Sequence, residues 1–157
     1  MIVFQYIILI ASILFLGAYF VIDRKHWREI VLAAVISAIW VSIAGIYNYK
    51  DTNIVILGFN LYPFFAWTAG LVILKAAYEK LGKLKYLKAT VFYIVVLLLL
   101  EFIGYNYMGI QLNSNYPGLL GLPLMHAPRY SQVYYLTIGP VYLLLMILLG
   151  KTKQNKE

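Results

Sequence analysis

The sequence predicts an all-α membrane protein, a polytopic helical bundle with about five transmembrane helices. Of its 157 residues, 63% are hydrophobic and only 12% are charged, and the mean hydropathy is +0.80. A chain this apolar has too little polar surface to cover a water-soluble core. We therefore expect a single transmembrane domain over residues 1–150, followed by a basic cytoplasmic tail over residues 151–157.

Five apolar stretches define the predicted spans. In chain order they are Ile2–Ile22, Ile30–Tyr47, Ile54–Tyr78, Leu87–Tyr105 and a stretch that reaches Gly150 and could begin as early as Pro128. The third is long enough for the ~20 residues that a crossing needs, and Pro63 inside it predicts a kink. Charges follow the first stretch instead of preceding it, so we interpret it as a retained span and not as a signal peptide.

The Lys and Arg residues are sorted onto one side of the predicted bundle. Of the 13 in the chain, only Lys50 and Arg129 lie in connections on the other side. Because cytoplasmic loops carry the Lys/Arg excess, this partition predicts an N-terminus outside and a C-terminus in the cytoplasm, in a prokaryotic cell membrane. The formal net charge of +7 sits in short clusters beside the spans, which favours membrane lipids with anionic headgroups as partners and not nucleic acid.

The only long connection, Met108–Pro128, joins the fourth and fifth predicted spans. Its second half is apolar but is interrupted by Gly121, Pro123 and Pro128, so it is too short and too broken to cross the membrane. Irregular backbone at membrane depth is tolerated only where it is buried in protein or lines a wet cavity. Two interpretations remain open: a re-entrant or interfacial segment that covers the outer face, and an ordinary surface loop.

Two helix ends share a pattern that suggests a parallel repeat of helix pairs. The segment Ile43–Tyr49, which contains Gly-Ile-Tyr-Asn-Tyr, is echoed by Ile103–Tyr107, which contains Gly-Tyr-Asn-Tyr. A polar turn and then a proline, Pro63 or Pro123, follow each copy. Both copies leave the predicted membrane in the same direction. Chance similarity between apolar segments is the alternative.

Glu101 is the only acidic residue inside a predicted span and the first candidate for chemistry. It lies six residues inward from Tyr107, roughly 9 Å along a helix, and Asn60 is predicted at a similar depth beside Trp40 and Thr137. An intramembrane carboxyl is by default a functional hypothesis, and a low dielectric favours its neutral form, which can donate a proton. The alternative is a structural hydrogen bond from Glu101 to Asn60 or to a tyrosine.

His126 and Arg129 form a second candidate pair, near the start of the fifth span. Arg129 could pair with Glu101 or hold a lipid phosphate, and His126 is more typical of a hydrogen-bonding loop residue than of a metal ligand. Since His26 is predicted on the opposite side and the chain has no cysteine, we expect no group of His and carboxylate ligands, and hence no metal and no cofactor.

Aromatic side chains crowd the start of the third span. Their rings could line an apolar slot and stabilise a cation, or they could be ordinary core residues at helical spacing. They are Phe59, Tyr62, Phe64, Phe65 and Trp67.

Two runs resemble membrane proteins of carotenoid biosynthesis. The run Trp40–Phe65, with its Gly-Ile-Tyr-Asn-Tyr and Pro-Phe-Phe motifs, resembles the small three-span domain of lycopene cyclases. The run from Glu101–Gly104 through Gly121–Leu124 is similar to carotenoid hydratases, in which a glutamate precedes a Gly-rich turn and a Gly-hydrophobic-Pro step. The cyclase domain has a pair of acidic residues after its proline, where this chain has Phe64–Ala66. The resemblance therefore assigns the acid to Glu101 alone.

The resemblance implies a protein that binds or modifies a long isoprenoid or carotenoid-like lipid. Under this hypothesis Glu101 is the catalytic acid that protonates a C=C bond in a cyclisation or hydration, and aromatic faces stabilise the carbocation. The competing hypothesis is a noncatalytic subunit that holds a lipid or packs into a homo-oligomer or a larger membrane complex. The residues expected to contact the hydrophobic ligand are Trp40, Asn60, Phe64, Phe65, Trp67, His126, Arg129 and Thr137.

Overall fold

Helices dominate the fold, which confirms the all-α prediction. The structure is a computed structural model that describes residues 2–22, 26–44, 48–50 and 54–154. In chain order, the described elements are α1 (Ile2–Ile22), α2 (Trp27–Ala44), β1 (Val55–Ile56), β2 (Phe59–Asn60), α3 (Leu61–Lys80), α4 (Lys85–Asn106), a short 3-10 helix (Leu119–Gly121) and α5 (Arg129–Gln154).

Four of the described helical segments are long and apolar enough to cross a membrane. They are Phe4–Ile22, Leu61–Lys80, Lys85–Asn106 and Arg129–Leu149. Their length and composition fit the predicted integral membrane protein. Helix α2 is 18 residues long and would complete the five predicted crossings, a count that stays a prediction.

Helix α3 is the centre of the bundle and packs against each of the other four helices. Along its length it buries Tyr62, Pro63, Thr68, Ala69, Leu71, Val72, Leu74, Lys75 and Tyr78. Helix α4 is more peripheral and buries Ala89, Tyr93, Leu97 and Gly104. We call the end of the bundle with the α2–α3 and α4–α5 connections the loop end, and the opposite end the basic end.

The predicted helical start of the third span is wrong, because β1 and β2 form a hairpin there. Leu57 and Gly58 make its turn, with positive φ values of 51° and 78°. Asn60 then caps α3, since its side-chain oxygen accepts a hydrogen bond from the backbone N–H of Tyr62 at 3.2 Å. This use of asparagine is typical of a helix start. It places Asn60 at the start of α3 and not inside a helix.

Two helix limits also differ from the prediction. Pro63 lies in the first turn of α3, where its missing N–H breaks no helical hydrogen bond, so it starts the helix instead of bending it. At the other limit, α5 continues to Gln154. The predicted tail therefore begins as helix, and its last residues, 155–157, lie outside the described residues.

The connection over residues 107–128 packs on the loop end of the bundle. Met125 and Ala127 are buried there, with exposed fractions of 1% and 2%. Gln132 of α5 holds the connection in place, because its side-chain N–H groups donate to the backbone carbonyls of Pro117, Met125 and Ala127 at 3.0, 3.4 and 2.9 Å. Among the described residues this segment contains no spanning helix, and a re-entrant or interfacial position for it stays a prediction.

The two loop-end connections also pair with each other. Tyr49 and Leu112 form an antiparallel bridge, flanked by backbone hydrogen bonds of 3.0 and 2.7 Å between residues 48–50 and 111–113. Leu120–Gly121 has φ values of 53° and 81°, close to the 51° and 78° of Leu57–Gly58. This shared turn geometry agrees with a repeat, which stays a prediction. Residues 45–47, part of its first copy, lie outside the described residues.

Candidate functional site

An apolar cavity lies between α3 and α4 near the loop end. Its volume is about 520 Å³, within the range of sites that hold small ligands. The connection over residues 107–128 and helix α5 contribute to its walls. Among its lining residues, Ile73, Phe92 and Leu100 are 47%, 47% and 62% exposed, and they lie within α3 and α4 and not in the connections at the ends of the bundle. The cavity is therefore open sideways, toward the space that lipid fills around an embedded bundle.

Glu101 lines this cavity. It lies five residues before the last residue of α4, Asn106, roughly 8 Å along the helix. Within the part of the chain that the structure describes, its carboxyl makes no hydrogen bond or ion pair, although Tyr62 and Tyr93 line the same cavity. The structural alternative, in which Asn60 or a tyrosine hydrogen-bonds Glu101, is therefore wrong for this structure.

His126 and Tyr105 form the loop-end wall of the cavity. Tyr105 lies one helical turn beyond Glu101 on the same face of α4, and His126 stacks on it with ring centroids 3.6 Å apart and ring planes 11° from parallel. The Nδ1 atom of His126 is enclosed and has no hydrogen-bond partner in the described part of the chain. Burial lowers the pKa of His126, so its imidazole is neutral near pH 7.

Tyr93 forms the deeper wall, together with the backbone of α5. Its hydroxyl donates a hydrogen bond to the backbone carbonyl of Tyr135, and its ring packs directly on Gly139, where an added Cβ would lie 2.7 Å from ring atoms. The ring of Tyr135 in turn meets Trp67 edge to face, with centroids 5.2 Å apart. Tyr93, Tyr135 and Trp67 all line the cavity, which gives it aromatic walls on three helices.

Only part of the predicted ligand-binding set reaches the cavity. Trp67 and His126 line it, whereas Trp40, Asn60, Phe64 and Phe65 do not. Trp40 is 5% exposed and packs behind the wall, with its ring centroid 6.4 Å from Trp67 and 5.5 Å from Tyr135. The rings of Phe64 and Phe65 pack on each other, with centroids 4.9 Å apart. Of the four, Trp40 supports the wall from behind through Trp67 and Tyr135.

Thr137 and Arg129 lie away from the cavity. Thr137 is exposed, and its hydroxyl donates to two carbonyls of its own helix at 2.9 and 3.3 Å. The prediction that it faces the interior is wrong, because the face of α5 that carries Tyr135 is the one that packs inward. Arg129 is exposed at the start of α5 and makes no ion pair with Glu101, so the pairing proposed for these two residues is also wrong.

A buried ionic cluster occupies the basic end of the bundle. Lys75 is 8% exposed, and its ammonium lies 3.2 Å from Glu29 Oε1 and also contacts the Glu79 carboxylate. His26 Nδ1 lies 2.6 Å from the same Glu29 oxygen, and the Tyr19 hydroxyl donates to Glu29 Oε2 at 3.1 Å. The cluster therefore joins α1, α2 and α3 through one buried carboxylate.

This cluster corrects two expectations. Glu101 is not the only acidic residue in a candidate span, because Glu79 lies within Leu61–Lys80. The side chains of His26, Glu29 and Glu79 bring ligand atoms within 4.8 Å of one another, so the expectation that no such group could form is wrong. The ammonium of Lys75 lies against both carboxylates and neutralises part of their charge, as an ion-pair network requires.

The sequence did contain a signal for the cavity residues that the predictions missed. Tyr93, Leu97, Glu101 and Tyr105 all line the cavity and occur at every fourth position of α4. Residues at this spacing share one face of a helix. Counting in steps of four residues from Glu101 would therefore have predicted that Tyr93 and Tyr105 line the same site.

No protein-family model, curated protein or solved structure matches this chain. The candidate site rests on the geometry of the cavity and of Glu101.

Proposed function

We propose that this protein is an integral membrane protein that binds a long isoprenoid or carotenoid-like lipid in the cavity between α3 and α4, and that Glu101 protonates a C=C bond of this lipid. The observation that carries the proposal is the Glu101 carboxyl. It lies in a candidate spanning helix, lines an apolar cavity and has no hydrogen-bond partner among the described residues. A carboxyl in an apolar cavity lowers the stability of the bundle, so its presence there indicates a function.

The shape of the cavity supports a hydrocarbon ligand. Ala66, Ala69 and Gly70 on α3 line it, and these small side chains leave room for a chain that lies along the helix. The sideways opening at Ile73 and Leu100 would let such a chain enter from lipid, with its remainder along the outside of the bundle. This route needs no passage through water.

In the proposed step, the neutral Glu101 carboxyl transfers its proton to one carbon of a C=C bond. The carboxyl becomes a carboxylate and the other carbon becomes a carbocation, beside the aromatic faces of Trp67 and Tyr93. In a hydration, water adds to the cation and one of its protons returns to Glu101. In a cyclisation, a second C=C bond attacks the cation, and the ring then loses a proton to the Glu101 carboxylate, which restores the neutral acid.

Replacing Glu101 by glutamine tests this step, because the amide keeps the shape of the carboxyl and cannot donate a carboxylic proton. The protein is reconstituted in vesicles with lycopene in deuterated buffer, and deuterium incorporation into the polyene is measured by mass spectrometry. We expect the Glu101→Gln protein to retain the bound polyene and to incorporate deuterium ~100-fold more slowly than the unchanged protein. Glu79→Gln, the same change in α3 away from the cavity, should incorporate at the unchanged rate.

A noncatalytic lipid-binding subunit is the second candidate function. The observation that favours it is that Glu101 is the only carboxyl among the described residues that line the cavity, so no second carboxylate is present to take up a proton. If both the unchanged protein and the Glu101→Gln variant retain lycopene and neither incorporates deuterium, the protein binds a lipid and does not protonate it.

We also propose five crossings of a prokaryotic cell membrane, with the N-terminus outside and the C-terminus in the cytoplasm. The distribution of Lys and Arg supports this orientation, since the basic end adjoins the connections that carry most of them. Reporter fusions at each terminus should report opposite sides of the membrane. Reports from the same side would mean an even number of crossings, with α2 as the first helix to reassign.

A further inference from the structure

His126 is the polar group at the loop end of the cavity, and the structure restricts what it can offer to a ligand. Its ring lines the cavity and is held flat against Tyr105. Among the residues that the structure describes, its Nδ1 atom is enclosed and has no hydrogen-bond partner. Its Nε2 atom is not among the enclosed atoms, and no described residue hydrogen-bonds it. Of the two ring nitrogens, Nε2 is therefore the one that a ligand can reach.

The enclosed nitrogen also decides where the proton of the neutral ring belongs. A neutral imidazole carries one N–H and one bare nitrogen. Buried N–H groups without an acceptor are rare in proteins, and a bare acceptor left unpaired is tolerated somewhat better. The proton is therefore placed on Nε2, and His126 presents an N–H donor and not an acceptor to the cavity.

We propose that the ligand is an oxygen-bearing isoprenoid, and that His126 Nε2–H donates a hydrogen bond to its oxygen at the loop end of the cavity. This inference rests on the proposed function, because it takes an isoprenoid chain as the occupant. It adds that the preferred ligand carries an alcohol, ether or ketone oxygen on its isoprenoid chain, so that a pure hydrocarbon binds more weakly, and it gives the direction of the chain in the membrane.

The order of residues along α4 sets that direction. Tyr105, with His126 stacked on it, lies nearest the loop end, Glu101 lies one turn deeper, and Tyr93 lies two further turns along the same face. An oxygen held at His126 lies near the membrane surface, where polar groups are least costly, and the chain runs past Glu101 toward the bilayer centre. The oxygen anchor would thereby set which C=C bond lies beside the Glu101 carboxyl.

Binding of three matched probes to the full-length protein in nanodiscs tests the inference. The probes are geranylgeraniol, its methyl ether and the hydrocarbon of the same chain without the oxygen. The ether can only accept a hydrogen bond, so it isolates donation by the protein. We expect the alcohol and the ether to bind about tenfold more tightly than the hydrocarbon, the size of one hydrogen bond. His126→Phe, which keeps a ring to stack on Tyr105, should remove this preference, so that the three probes bind the variant with equal affinity.

The outcomes separate this inference from the function on which it rests. Equal binding of all three probes, or a preference that survives in His126→Phe, overturns the role of His126 and leaves the lipid site intact. Failure of every probe to bind the unchanged protein overturns the proposed function as well. If His126→Phe does not fold, nitrogen NMR of histidine-labelled unchanged protein decides the point. The ether should shift the protonated Nε2 signal of His126, and no shift on saturation contradicts the proposal.

Discussion

Replacing Lys75 by methionine should lower the free energy of unfolding by about 3 kcal/mol or more. The Lys75 ammonium lies 3.2 Å from Glu29 Oε1 and contacts the Glu79 carboxylate, and Glu29 is 6% exposed. Methionine matches the length of the lysine stem but leaves the Glu29 carboxylate buried with its main cation removed. An unpaired buried charge costs far more than the ion pair itself contributes. Unfolding in mixed micelles of increasing denaturing detergent measures the loss.

Lys80→Met is the matched control, since Lys80 is on the same helix, carries the same charge and is exposed. It should change the free energy of unfolding by less than about 1 kcal/mol. Adding Glu29→Gln to Lys75→Met should recover part of the loss, because the amide carries no charge and keeps an acceptor for the Tyr19 hydroxyl. Equal stability of Lys75→Met and Lys80→Met would show that the cluster contributes nothing beyond an exposed ion pair.

The fold was predictable where apolar stretches end in charges. The fourth span, predicted as Leu87–Tyr105, agrees with α4 at Lys85–Asn106, because a long apolar run has one stable conformation in lipid. The start of the third span was not predictable by this reasoning. Val55–Asn60 is as apolar as the spanning helix that follows it. Its hairpin depends on a positive φ at Leu57, a backbone conformation that leucine rarely adopts.

The candidate site was predictable only in part, because a position along the sequence does not fix how deep a side chain lies in the bundle or in which direction it points. Glu101 was found from its charge alone. Asn60 was misplaced because its role as a helix cap depends on where α3 begins. The ion pairs of Lys75 were missed because a lysine near the end of a span usually extends its ammonium to the membrane surface. Only the position of Glu29 on a neighbouring helix shows that the Lys75 ammonium is buried in an ion pair.

Replacing Gly139 by alanine should destabilise the contact between α4 and α5 by about 2 kcal/mol. The new Cβ would lie 2.7 Å from atoms of the Tyr93 ring, closer than van der Waals contact allows. The ring has little freedom to move, because its hydroxyl is hydrogen-bonded to the Tyr135 carbonyl and three of its atoms are in the clash. Gly17→Ala is the matched control, since a Cβ there meets nothing within 4 Å, and alanine in place of a helical glycine should be neutral or stabilising by up to ~1 kcal/mol.

The cause of this loss can be separated from any general effect of alanine in α5. In a Tyr93→Leu background the ring is absent, so Gly139→Ala should cost much less than it does alone, and the difference is the coupling energy of the pair. An equal cost in both backgrounds would contradict the assigned clash. Because Tyr93 lines the cavity, a ring displaced by Gly139→Ala also narrows the space beside Glu101. We therefore expect this variant to lose bound isoprenoid under conditions in which Gly17→Ala retains it, which links the close approach of α4 and α5 to the shape of the ligand site.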